Sequence, residues 1–187
     1  QQIERLTKLS TDLLDLSRLD ADAVELRAES IDLREVAAEV AAEFGAAADQ
    51  HGTVIAVEPA DGVAMARGDR ARTTQIMRIL TDNALKHTAP GTGITISTTA
   101  TSSECRVSVS DEGPGIDARS RERVFERFFT ADGTTSGSGL GLAIGRELAR
   151  LMGGELEFER RRGRGATFTL SLPRAGAELG AVREAVA

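Results

Sequence analysis

The chain has 187 residues, 41% of them hydrophobic, with a net charge of −6 and a single cysteine, Cys105. That is enough apolar material for one compact domain plus an extra element, and the lone cysteine rules out an internal disulfide and reads as a small buried strand residue. The acidic balance, with six Phe as the only aromatics, argues against a general nucleic-acid binder, and no run of 18 or more apolar residues suggests a membrane span or leader.

Residues 1–21 read as one helix. Leu6, Leu9, Leu13 and Leu16 recur at three and four, and Ile3, Leu14 and Leu19 widen the stripe until more than one neighbour must cover it. The helix is either a core helix of the following domain or half of a hairpin that dimerises into a four-helix bundle. Its place ahead of a polar connection favours the second. Residues 22–31 alternate Val24, Leu26 and Ala28 with acids, as in a linker that becomes a first strand. Asp32 caps a helix running to about Ala48, with Glu35 completing a capping box and Leu33, Val36, Val40 and Phe44 facing inward. His51-Gly52 is a turn and His51 a solvated residue in it. Strands follow at Val54–Val57 and Val63–Ala66, the latter closed by Gly68.

Asp69 caps a helix to about His87, with Ile76, Ile79, Leu80 and Ala84 as its buried stripe. Asn83 lies on or beside that stripe, where an amide needs a polar partner. The partner is either a backbone group or a metal or phosphate. Lys86 shares the same rim, and His87 reads as a helix-end residue. After the break at 89–93, Ile94, Ile96 and Thr98 alternate as one strand and Cys105, Val107 and Val109 as the next, antiparallel to it. The second strand stops at Asp111, Gly113, Pro114 and Gly115. Residues 116–125 read as a short polar helix. Phe125, Phe128 and Phe129 form a small apolar cluster, and residues 130–136 are a polar loop suited to folding over a ligand. The run Gly137-Ser138-Gly139-Leu140-Gly141-Leu142 opens a helix over 139–152. A hairpin then runs through Leu156 and Phe158, a basic turn at 160–165, and Ala166–Leu172. Residues 174–187 are a frayed tail. The two glycine clusters are complementary: a carboxylate at a strand end can accept from a base, and a helix amino end can donate to phosphates.

Four motifs in order give this chain a family resemblance. They are Gln75–Thr88 around Asn83, Asp111-Glu112-Gly113-Pro114-Gly115-Ile116, Phe125-Glu126-Arg127-Phe128-Phe129, and Gly137–Ile144. Over about residues 30–173 the sequence resembles the catalytic ATP-binding domain of sensor histidine kinases of two-component systems, within the gyrase, Hsp90, histidine kinase and MutL superfamily. Residues 1–21, with Leu13-Leu14-Asp15-Leu16-Ser17-Arg18-Leu19, resemble the second helix of the dimerisation and phosphotransfer hairpin. The resemblance implies an α+β fold: a two-layer sandwich of a mixed, mostly antiparallel sheet with helices on one face, preceded by one long helix. The implied organisation is an incomplete hairpin at 1–21, a linker and first strand at 22–31, the catalytic domain at 32–173 and a tail at 174–187.

The implied ligands are ATP and Mg²⁺, with γ-phosphoryl transfer to a His. By the same resemblance, Asp111 accepts the adenine amino group, Asn83 coordinates the metal, and Lys86 and His87 lie near phosphate or ribose, with Asn83 and Lys86 as the catalytic pair. Gly113, Gly115 and Ile116 shape the adenine wall. Gly137, Ser138, Gly139, Leu140, Gly141 and Leu142 form the lid hinge and offer amides, and Phe128 and Thr167 complete the nucleotide-binding set. The implied partners are a second copy through the N-terminal helix and a response regulator, with no nucleic acid. The implied location is the cytoplasmic portion of a membrane-anchored sensor.

Departures from the family pattern carry expectations of their own. Ile79 stands where a second Asn is common and where hydrolytic relatives carry Glu, so no base is available there to activate water. Thr130, Thr134 and Thr135 occupy a lid that usually carries basic residues, which implies weakened nucleotide affinity unless Arg127 or an Arg of the helical domain compensates. Ser136-Gly137 stands for a common Gly pair. Neither His51 nor His87 lies in a phosphoacceptor motif, so the chain is expected to be a piece of a kinase whose acceptor lies elsewhere. An anti-sigma-factor-type serine kinase and a nucleotide-sensing dimerisation module without transfer are the alternatives.

Overall fold

The computed structural model describes residues 2–21, 23–58, 62–130, 138–160 and 165–176. In chain order the elements are α1 (Gln2–Asp20), β1 (Glu29–Asp32), α2 (Leu33–His51), β2 (Val54–Val57), β3 (Met65–Gly68), α3 (Arg70–His87), β4 (Gly93–Ala100), β5 (Glu104–Asp111), α4 (Ala118–Arg121), α5 (Gly141–Leu151), β6 (Glu155–Arg160) and β7 (Ala166–Pro173).

Alternation in the strands builds the sheet. Ile94, Ile96, Cys105, Val107, Val109, Leu156, Phe168, Leu170 and Leu172 are buried, and α2, α3 and α5 contact the sheet. The strand order is β2-β4-β5-β7-β6, parallel only between β2 and β4. The other face carries short hydroxyls, and Ser108 meets Thr169, and Ser110 meets Thr167, at 2.9 Å. The expected α+β sandwich with a mixed, mostly antiparallel sheet is therefore what the chain forms. A separate two-stranded pair, β1 with β3, runs antiparallel from Glu29↔Gly68 to Asp32↔Met65.

Caps set the helix starts. The Asp32 side chain accepts from Arg34 N and the Asp69 side chain from Arg72 N, each pairing one N–H that the first turn leaves open. Glu35 does not close a capping box; its carboxylate meets Arg70 Nη1 at 3.3 Å. Helix α2 runs on through His51, so that residue ends a helix and is not in a turn, and its Nδ1 lies 2.8 Å from Thr53 Oγ1. Strand β3 is shifted to Met65–Gly68 because β1 dictates the register, and Val63 is left exposed. The helix expected over 116–125 is only α4, capped by Asp117, followed by turns.

Helix α1 divides its apolar residues between two faces. Leu16 and Leu19 are buried, and α1 contacts α5, whereas Ile3, Leu6, Leu13 and Leu14 are exposed, Ile3 to 79%. The single stripe read from spacing is thus shared between the domain and solvent. No helix among the described residues is long and apolar enough to cross a membrane.

Candidate functional site

One cavity of about 230 Å³ gathers most of the candidate residues. Helix α3 contributes Ile79, Asp82, Asn83, Lys86 and His87, all within two turns of one face. The end of β5 and the following loop contribute Asp111, Pro114, Gly115 and Ile116, and the segment after α4 contributes Val124, Phe129 and Thr130. Ser138, Gly139, Gly141 and Leu142 line it from the start of α5, Ala166 and Phe168 from β7, and Asp12 from α1.

Asp111 is buried, with 5% of its surface exposed, because strand alternation puts it on the same face as Val107 and Val109. A carboxylate so placed is costly unless hydrogen-bonded. Its Oδ1 accepts from Gly113 N at 2.8 Å and from Ala166 N at 3.3 Å. Gly113 leaves no room for a side chain: a Cβ there would lie 2.6 Å from the His87 carbonyl oxygen and 2.9 Å from Asp111 Oδ1. The first glycine motif therefore welds the end of α3 to the end of β5.

At the rim, Lys86 Nζ meets Asp82 Oδ2 at 2.7 Å, one helical turn away. Ser138 Oγ accepts from Leu140 N at 3.2 Å and donates to Asp12 Oδ2 at 2.7 Å. Gly139 adopts φ 67, and a Cβ there would come within 2.6 Å of Phe128 C. That left-handed residue halts the helix, so α5 begins at Gly141, two residues later than spacing alone suggests.

Several candidates stand elsewhere. Phe128 does not line the cavity; it is 62% exposed and has φ 62, the one positive value outside glycine among the described residues. The turn that seats its backbone on Gly139 turns the ring outward, and Phe129 takes the cavity wall instead. The expected Phe cluster is therefore split, with Phe125 edge-on to Phe168 at 6.2 Å and Arg123 4.6 Å over the Phe129 ring. Thr167 lies on the opposite sheet face, bonded to Ser110, and its neighbours Ala166 and Phe168 reach the cavity. Leu140 is fully buried and serves packing, and Gly113 acts from behind the cavity, neither of them lining it. Arg127 does not face the cavity; its Nη1 donates to Asp20 of α1 at 2.9 Å, and this contact holds the Asp20 carboxyl below the usual carboxylate range. Gly137, with Thr134, Thr135 and Ser136, lies outside the described residues.

Asp12, Asp82, Pro114, Val124, Phe129, Ala166 and Phe168 were not anticipated. The period-two rule on Phe168, Leu170 and Leu172 would have put Ala166, not Thr167, on the inner face. Asp12 carries no local signal, since it meets the cavity only through docking of α1.

A family model described as "Histidine kinase-, DNA gyrase B-, and HSP90-like ATPase" matches residues 68–176, more than half of the chain and all of the cavity except Asp12. The chain belongs to this family. Within it, the sequence is 34% identical over 169 residues to the sensor protein DivL of Caulobacter vibrioides, covering 90% of this chain and 22% of DivL. It is 37% identical over 177 residues to the sensor histidine kinase MtrB of Mycobacterium tuberculosis, covering 92% and 31%. The chain thus spans well under half the length of these family members. Among solved structures, full-length ShkA in complex with AMPPNP matches with a TM-score of 0.81 and 33% identity, covering 90% of this chain and 35% of that one. The catalytic domain of histidine kinase ThkA matches with a TM-score of 0.71 and 29% identity, covering 79% and 98%. ThkA in complex with the response regulator protein TrrA matches at 0.75 and 26%, covering 92% and 48%.

Proposed function

We propose that this chain is the ATP-binding catalytic part of a sensor histidine kinase. It binds ATP with Mg²⁺ and delivers the γ-phosphoryl group to a His on a dimerisation helix, for relay to an Asp of a response regulator. The observation that carries this reading is the buried Asp111 carboxylate, fixed at Oδ1 by two backbone N–H groups, in one cavity with Asn83, Lys86 and the amino end of α5.

The donor set fits the ligand. Ile79, Ile116, Val124, Leu142, Ala166 and Phe168 give apolar walls for a flat base, and Asp111 is an acceptor suited to an exocyclic amino group. Lys86 can leave Asp82 for phosphate. The first N–H groups of α5 favour an anion, and its N-cap residue, Leu140, makes no side-chain cap bond. Asn83 offers a hard amide oxygen to a divalent cation. No group of three or more His, Cys, Asp or Glu among the described residues could hold a metal alone, so the ion would arrive with the phosphates. Bound Mg²⁺ would spread the developing charge on the phosphates, and the residues' own work is to position and to exclude water. Ile79 presents no base, which favours transfer to protein over hydrolysis. Similarity to ThkA, solved with TrrA, supports a response regulator as partner. The leucines exposed on α1 support a homodimer built through that helix.

The test mixes this chain with ATP, Mg²⁺ and a separately produced helical hairpin carrying a His. The expected result is phosphate on the hairpin that survives base and is lost in acid. Nucleotide binding without transfer would favour a nucleotide-sensing module, and phosphate stable to acid would favour a serine kinase.

A further inference from the structure

The acid that α1 brings to the cavity has no part in the reading above. Asp12 lines the cavity with Asn83, Lys86, Gly139 and Gly141. Its carboxylate accepts from Ser138 Oγ at 2.7 Å, and that oxygen in turn accepts from Leu140 N at 3.2 Å. One hydroxyl therefore ties it to the turn that opens α5, and the amino end of a helix favours an anion. Two more α1 acids, both C-terminal to Asp12, fasten the helix: Asp15 accepts from Gln75 Nε2 at 2.9 Å, and Asp20 from Arg127 Nη1 at 2.9 Å. Leu16 and Leu19 are buried beneath them. Docked α1 thus holds a negative charge at the end of the cavity suited to phosphate, where Lys86 is the one Lys or Arg among the lining residues.

We propose that Asp12 is a specificity-determining residue that makes the cavity discriminate by phosphate charge, disfavouring the triphosphate while α1 is docked. The inference rests on the nucleotide reading of the cavity. Like charges held near one another in a partly desolvated site repel more than they would in water, and the penalty grows with each phosphate. Coupling is reciprocal: ATP weakens α1 docking by the same factor by which docked α1 weakens ATP. Triphosphate binding therefore favours release of the helix, and a nucleoside leaves it in place.

The test is calorimetry of adenosine, ADP and ATP with the whole chain and with Asp12→Asn, in EDTA and again with Mg²⁺. Asn keeps an acceptor for Ser138 and removes the charge. The expected result is unchanged adenosine affinity, which also reports an intact fold, with a gain of a few-fold for ADP and about tenfold for ATP in EDTA. Asp12→Lys should raise ATP affinity further. Equal shifts for all three ligands, or no shift, would overturn the proposal. So would a loss of ATP affinity confined to Mg²⁺, which would put Asp12 in the metal shell. If the unaltered chain binds none of the three, the nucleotide reading itself fails and this proposal with it.

Discussion

Asp111 and Gly113 form a unit whose two members do different work. Gly113 is needed for space: its backbone passes the His87 carbonyl so closely that a methyl group there must displace α3 or β5. Gly113→Ala should destabilise the protein by about 1–3 kcal/mol through overpacking, seen as a lowered thermal midpoint. Thr130 faces the cavity at a position without charge. Thr130→Arg should tighten ATP severalfold by supplying a cation, and calorimetry showing no gain would remove the idea that this lid is short of charge. Arg127 cannot make up the shortfall while it is engaged with Asp20. Alternation and the glycines after it put Asp111 at a strand end, and helix spacing puts Asn83 beside the apolar stripe of α3; both line the cavity. The three Phe of the motif part company for a physical reason. Nearness in sequence groups the three Phe, but the left-handed turn against Gly139 turns one of them to solvent.

Helix α3 carries Asn83 and Lys86, and its first turn is anchored by Asp69. That carboxylate accepts from Arg72 N at 3.0 Å and, from the connection after α1, from Arg27 N at 2.9 Å. Asp69→Ala should cost about 1–2 kcal/mol, read as a shift in the urea midpoint at unchanged slope. A change in slope would mean that the connection, not the cap, had failed. Elements whose partners are local in sequence were legible. Strands β4 and β5 and helices α2 and α3 announce themselves by alternation, period and cap. The pairing of β1 with β3 was not, because 32 residues lie between the end of one strand and the start of the other and no turn signal joins them. Parity sets Thr167 off the cavity wall, since one residue in a strand is the difference between the two sheet faces.

For the whole molecule, acid should loosen the fold. Burial opposes ionisation of Asp69 and Glu155, yet backbone N–H groups around Asp69 and the guanidinium groups of Arg146 and Arg150 beside Glu155 outweigh it. Both carboxyls are held below their usual range. A native value below the unfolded one means that the unfolded chain binds more protons in acid. The contribution is complete above roughly pH 5, just over the unfolded carboxylate values, and is lost as pH falls through the lower native values. Thermal midpoints should therefore decline from about pH 5 downward, and Asp69→Asn should flatten that decline. Docking of α1 belongs to this scale as well. The leucine spacing shows that the helix needs neighbours, but spacing cannot say that Leu16 and Leu19 choose the domain while Leu6, Leu13 and Leu14 stay exposed. Only the folded chain brings Asp12 to a cavity built by residues 67 to 156 positions away (79 − 12 = 67; 168 − 12 = 156).

The central claim is that Asp111 reads a purine amino group inside this cavity. The direct measurement is calorimetry of ATP and GTP, with Mg²⁺, against the unaltered chain and Asp111→Asn. The substitution keeps an oxygen for the Gly113 and Ala166 amides, so the fold should persist, as a thermal melt would report. The account predicts that ATP binds, that GTP does not, and that the variant loses ATP affinity by about 100-fold or more because a donor now faces a donor. Equal binding of both nucleotides, or ATP binding unchanged by Asp111→Asn, would contradict it.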